Sequence, residues 1–210
     1  MKMIGDILSW VTGSTPFSKE RHERLRTLLE QKCLRRGQFT LSTWETSTWY
    51  FDCKHATLDG ECLNLIADEV LAAIRCLPVP VQAIGGLTMG ADFIVAAVIM
   101  RAYERKRPTV YGSIVRKEPK KHGTCSMIEN EMPPDTPIVV VDDVITSGGS
   151  TLKACEELEA SGYRIMSVLA LVDREAGGLE MLSQRYGYAR PLFRKCDFPA
   201  LMALERENSK

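Results

Sequence analysis

Residues 137–151 read PIVVVDDVITSGGST, and this stretch decides the fold. Ile138-Val139-Val140-Val141 is a continuous apolar run, the pattern of a strand buried on both faces. Two carboxylates, Asp142 and Asp143, stand side by side at its end. Val144-Ile145 follows, then Thr146-Ser147-Gly148-Gly149-Ser150-Thr151, which opens a helical run from Gly149 to Ser161. Strand, polar loop and helix in that order make an anion site. Glycines allow close backbone approach, and free amides at a helix N-terminus favour negative charge. The hydroxyls of Thr146, Ser147, Ser150 and Thr151 add donors. Neither GK[ST] nor GxGxxG is present, which argues against a nucleotide P-loop and against a dinucleotide site.

The acid pair is the more informative half. Two ionised carboxylates repel, and burial penalises them unless donors or cations face them. Neighbouring residues on a strand point to opposite sides, so each acid can grip a different group. Acceptors just upstream of a phosphate cradle suit the hydroxyls of a sugar. A phosphate followed by a vicinal diol describes a ribose 5-phosphate. An ordinary capped strand–helix turn is the competing reading of the loop alone.

Working outward, the spacing predicts a helix over 18–35 that Gly37 ends, then two short strands at 39–41 and 48–53. Asp59-Gly60 reads as a cap for a helix over 61–76. Strands follow at 81–85, 109–115, 138–141 and 164–172, with helices at 90–105, 149–161 and 179–186. A short strand at 189–193 and a last helix complete the chain. A polar loop runs from about 116 to 136. From Glu61 onward helices and strands alternate, and the strands are continuously apolar. That implies an α/β chain with a mostly parallel central sheet flanked by helices. In such sheets ligands sit beyond the carboxyl ends of the strands. The polar segments 85–92, 116–123, 142–151 and 173–178 should therefore converge.

Composition narrows the class. The chain has 210 residues, 45% of them hydrophobic, enough for one domain with a real core. Lys plus Arg equals Asp plus Glu at 27 each, so no general excess of positive charge favours nucleic acid. The seven cysteines form no CxxC and no zinc spacing, and read as reduced thiols of a cytoplasmic protein. Asp6 interrupts the short apolar patch near the N-terminus, which lacks a signal-peptide core. The longest apolar run, 93–100, is too short to span a membrane.

The stretch VVVVDDVITSGGST resembles the phosphoribosyl pyrophosphate (PRPP) motif of type I phosphoribosyltransferases. FTLSTWETSTWYFDCKHATLD (39–59), GGLTMGAD (85–92), VRKEPKKHG (115–123) and LVDREAG (171–177) narrow the resemblance to orotate phosphoribosyltransferase. The resemblance implies a type I phosphoribosyltransferase fold in a single domain, 1–210. Residues 18–60 and the C-terminal segment would form a hood over a core at 61–175. It implies transfer of phosphoribose from PRPP to orotate, with Mg²⁺ bridging substrate oxygens and no metal held by protein ligands alone. Asp142 and Asp143 would hold the ribose hydroxyls, and Thr146, Ser147, Gly148, Gly149 and Ser150 the 5′-phosphate. Arg116, Lys117, Lys120 and His122 would bind pyrophosphate, with Lys120 the main catalytic cation. Backbone amides of GGLTMGAD would assist them. Arg174 would pair with the orotate carboxylate, and Thr146 would touch the base. The family implies a homodimer in which loop 116–123 closes over the neighbouring subunit's site, with no nucleic-acid or membrane partner. From sequence alone the basic loop also fits a solvated face, and Arg174 a surface salt bridge with Glu175 or Asp173.

The sequence departs from the family pattern at several positions. In the base-binding segment Ser42 stands where many relatives have Lys and Trp44 where they have Gly; elsewhere Met89 stands where many have Lys, Phe93 where Pro is common, and Cys125-Ser126 and Asn130 where the loop is usually Gly-rich. Two alternatives therefore stay open: a phosphoribosyltransferase for another base, and a non-catalytic PRPP sensor on the same fold.

Overall fold

The computed structural model describes residues 18–40, 46–105, 110–119 and 126–208. The N-terminal apolar patch, Ser42 and Trp44, and Lys120, Lys121, His122, Gly123 and Cys125 lie outside them. Helix α1 (Lys19–Cys33) is capped by Ser18, whose side chain accepts from the Arg21 amide, and buries Leu25, Leu28 and Leu29. It runs directly into strand β1 (Leu34–Thr40), so Gly37 does not end the helix as its position suggested. Gly37 sits instead between Arg36 and Phe39, where the pairing of β1 with β2 (Thr46–Phe51) shifts register. A one-turn helix, α2 (Lys54–Thr57), leads to α3 (Gly60–Arg75), where Asp59 caps the Cys62 amide at 3.0 Å.

The core is a six-stranded sheet. Its strands are β3 (Ala83–Leu87), β4 (Tyr111–Val115), β5 (Ile128–Glu129), β6 (Pro137–Ile145), β7 (Arg164–Asp173) and β8 (Ala189–Arg194). Their order is β5-β4-β3-β6-β7-β8, and every pair is parallel except β4 with β5. The alternating, continuously apolar elements lead to this doubly covered parallel sheet, as the sequence implies. Strand β5 was not visible in the sequence, because two residues inside a polar loop carry no period.

Helices α4 (Asp92–Glu104), α5 (Gly149–Ala160), α6 (Gly178–Tyr186) and α7 (Pro199–Asn208) complete the chain. Strand β6 shows how the two faces are served. Val139 and Val141 enter a core shared with α1, α3, α4 and the C-terminal residues Phe198 and Leu201. Ile138 and Val140 enter a second core with α5 and α6. Period-2 alternation thus feeds two apolar layers from one continuous run. Each fully buried Ile or Leu there contributes roughly 1.5–3 kcal/mol over an exposed one.

The N- and C-terminal segments close on each other. Phe198 packs against Phe51 and Phe193 at ring centroid distances of 5.0 and 5.9 Å. The Ala200 amide donates to Glu30 at 2.6 Å. This packing hangs the β1–β2 hairpin beside the end of the sheet where the functional loops emerge.

Candidate active site

The carboxyl ends of β3, β4, β6 and β7 carry the four polar segments. One correction concerns the acid pair itself. Strand β6 does not stop at Val141. Its pairing with β7 continues through Asp142 opposite Ala170 to Ile145 opposite Asp173, while its pairing with β3 ends at Val140. The acids therefore lie within the strand, paired to β7 on one side and beyond the last β3 pairing on the other.

The two carboxylates face different elements. Asp142 is buried, and the Thr151 hydroxyl of α5 donates to its Oδ2 at 2.6 Å. The Asp143 amide donates to the other oxygen at 3.0 Å. Burial, reinforced by the Asp143 charge, pushes the Asp142 carboxyl up to about 7. Asp143 accepts from the Val144 amide at 2.8 Å, and its Oδ2 lies 3.9 Å from Lys54 Nζ of α2. Thr151 is consequently no phosphate donor, as its place in the loop had suggested. It points inward and holds an acid.

The β3 loop presses against both acids. A Cβ at Gly90 would come within 2.5 Å of Asp142 Oδ1 and 2.9 Å of Asp143 Oδ1, so only glycine fits. The Thr88–Met89 peptide is cis. The Thr88 amide donates to the Val115 carbonyl and that of Ala91 to Leu87. The amides of Met89 and Gly90 donate to no described residue. The Met89 side chain is exposed.

Beyond β6 the chain turns at Gly148, whose φ of +78° is left-handed. A side chain there would also meet the Gly178 carbonyl and Met181 Cε at 3.0 Å. The Gly178 amide donates to the Thr146 carbonyl at 3.0 Å, so α6 braces the loop from behind. Thr146, Ser147, Gly149 and Ser150 remain exposed. The first-turn amides of α5 have no intrahelical acceptor and point into the same space. An exposed cradle beside two acids is what an anion bearing a diol requires.

Arg174 follows β7, its amide donating to the Ile145 carbonyl at 2.9 Å. Its guanidinium stacks over Trp49 of β2, 4.7 Å from the ring centroid. Burial works against its charge and lowers its pKa. Among the described residues no carboxylate lies within ion-pair distance of it, so the surface pairing with Glu175 or Asp173 does not occur. Glu175 instead accepts from the Cys196 amide. A half-buried cation over an indole suits a planar anion.

At the end of β4, Arg116 and Lys117 line a cavity of about 420 Å³ together with Thr88, Asp92, Ile114, Glu118 and Glu129. The structure thus brings the start of the basic segment next to the β3 loop. Arg116 is engaged there by Glu129, Nη1 to Oε1 at 2.9 Å. Lys120 and His122 lie outside the described residues. Two neighbours were missed in the sequence, Trp49 and Lys54. The signal for Trp49 was the alternation of β2, which buries Trp49 and Phe51 and leaves Tyr50 more exposed. Lys54 carried none.

No family model matches the chain. An orotate phosphoribosyltransferase from Rhodopirellula baltica is 41% identical over 165 residues, 77% of this chain and 85% of that protein. One from Synechocystis sp. is 41% identical over 169 residues, covering 80% and 82%. Among solved structures, the Mycobacterium tuberculosis orotate phosphoribosyltransferase superposes with a TM-score of 0.74 at 26% identity, over 85% of this chain and 99% of that one.

Proposed function

The chain belongs to the orotate phosphoribosyltransferase family, and from that premise we propose how its own residues carry the reaction. The chain transfers the 5-phosphoribosyl group of PRPP to orotate, giving orotidine 5′-phosphate and pyrophosphate in pyrimidine synthesis. The observation that carries the residue assignment is the exposed loop of Thr146, Ser147, Gly149 and Ser150 directly after the acid pair, with the β3 loop packed against both acids. In this reading the 5′-phosphate lies on the Thr146–Ser150 amides and hydroxyls, and the ribose hydroxyls on Asp142 and Asp143. Pyrophosphate lies between the Met89–Gly90 amides and the cations Arg116, Lys117, Lys120 and His122. Orotate sits toward Arg174, its carboxylate on the guanidinium and its edge on Thr146.

The reaction needs no strong nucleophile from the protein. Bond cleavage at the anomeric carbon leaves positive charge on the ribose ring and negative charge on the departing pyrophosphate. Carboxylates below the ring and cations around the leaving group stabilise that separation, and fixed positions replace entropy lost in solution. Lys120 is the cation assigned the largest share.

Mg²⁺ fits the donor set. The acid pair offers hard oxygens, and among the described residues no group of three or more His, Cys, Asp or Glu forms a cage. Asp142 and Asp143 would hold the ion mainly through the substrate hydroxyls they grip, and it would supply charge neutralisation for pyrophosphate.

The family resemblance supports a cytoplasmic homodimer whose loop 116–123 serves the neighbouring site. Among the described residues no helix is long and apolar enough to cross a membrane. Subunit mixing tests the dimer assignment. An Asp142→Asn/Asp143→Asn chain mixed with a Lys120→Ala chain recovers part of the turnover that each lacks alone, and adding a chelator removes it. No recovery despite proven subunit exchange would place the loop in its own subunit's site.

A further inference from the structure

Arg116 holds a position that its proposed role does not explain. Strands β4 and β5 form an antiparallel hairpin, with Ile114 opposite Glu129 and Val115 opposite Ile128. The Arg116 amide extends this pairing, donating to the Met127 carbonyl at 2.8 Å. The guanidinium then reaches back across the hairpin. Its Nη1 donates to Glu129 Oε1 at 2.9 Å and its Nε to the Glu118 carbonyl at 3.2 Å. Both charged side chains are about two-fifths exposed, and both line the cavity shared with Thr88 and Asp92. A carboxylate therefore occupies the cation that a pyrophosphate group would need.

We infer that Glu129 is a positioning residue that holds Arg116 when the site is empty and competes with pyrophosphate for it. This rests on the assignment of Arg116 to the pyrophosphate. The physical basis is exchange of partners on one guanidinium. A pyrophosphate carries more negative charge than a carboxylate and can accept from the guanidinium bidentately, where Glu129 takes a single Nη1 contact, so it displaces Glu129. The displacement weakens the binding of every pyrophosphate-bearing ligand by the strength of the pair it breaks. A half-exposed pair is modest, so the effect is small but directional. Its benefit is on release, because Glu129 recaptures Arg116 as the product leaves.

Glu129→Gln keeps the shape and removes the charge. We expect it to lower the KM for PRPP by about twofold to fivefold, which corresponds to up to about 1 kcal/mol. The inhibition constant of added pyrophosphate falls by the same factor. Removing any negative charge nearby would also attract a polyanion, so the same change is made in an Arg116→Gln background. There Glu129→Gln should shift neither constant. An unchanged or raised KM in Glu129→Gln, or an equal drop in the Arg116→Gln background, overturns the inference. A failure of the underlying assignment looks different: Arg116→Gln alone would leave both constants where they were. Thermal melting of each variant separates these outcomes from a folding defect, since an exposed pair shifts the melting point little.

Discussion

Asp142→Asn lowers kcat/KM for both substrates by about 10²- to 10³-fold, the range for removing one preorganised group aimed at developing charge. The same variant is more resistant to heat than the parent above neutral pH. Both results come from one carboxylate. Asp142 sits within strand β6, is buried, and is held by the Thr151 hydroxyl. Burial pushes its carboxyl up to about 7, well above the ordinary carboxylate range. Between that ordinary range and about 7, the folded chain keeps a proton that the unfolded chain has lost. Stability contributed by the neutral form is therefore fully present at low pH and is lost as pH rises through about 7. Asparagine keeps an acceptor for Thr151 and has no proton to lose. The melting-point gap between variant and parent should widen from pH 5 to pH 8. A variant less stable than the parent at pH 8 would mean that the ionised acid supports the fold, contrary to this reading.

Arg174→Ala raises the KM for orotate by at least ~30-fold while leaving that for PRPP close to the parent value. The magnitude is that of truncating one partner of a desolvated charge pair. The guanidinium lies over Trp49, and no described carboxylate is within ion-pair distance of it. Arg174→Lys keeps the charge but loses the planar fork and the stacking, so it should recover only part of the binding. An equal rise in the KM for PRPP would move Arg174 to the phosphoribosyl half of the site.

The strand, loop and helix of residues 137–151 were legible in the sequence because their signal is local. An apolar run and a Gly/Ser/Thr loop before a helical run specify strand, turn and helix within fifteen consecutive residues. What was not legible depends on segments distant in the chain. Lys54 meets Asp143, and Trp49 meets Arg174, although the members of each pair are far apart in the chain. Whether Thr151 faces ligand or core depends on the helix's rotation, which a cluster of hydroxyls does not reveal. The continuation of β6 past its apolar run was hidden for a similar reason. Backbone pairing to β7 sustains the strand even where its side chains are acids. Gly37 was misplaced because a glycine after a helix is an ordinary stop signal, yet here it fell inside a strand irregularity.

The central claim is that the site holds PRPP by its phosphate cradle and acid pair, and accepts orotate at Arg174. The most direct test is pyrophosphate release from PRPP by the unmodified protein, with orotate, uracil and a purine base supplied separately and Mg²⁺ present. Rapid release is expected with orotate, matched by orotate consumption, and little with the other two. Release with uracil or the purine but not with orotate would contradict it.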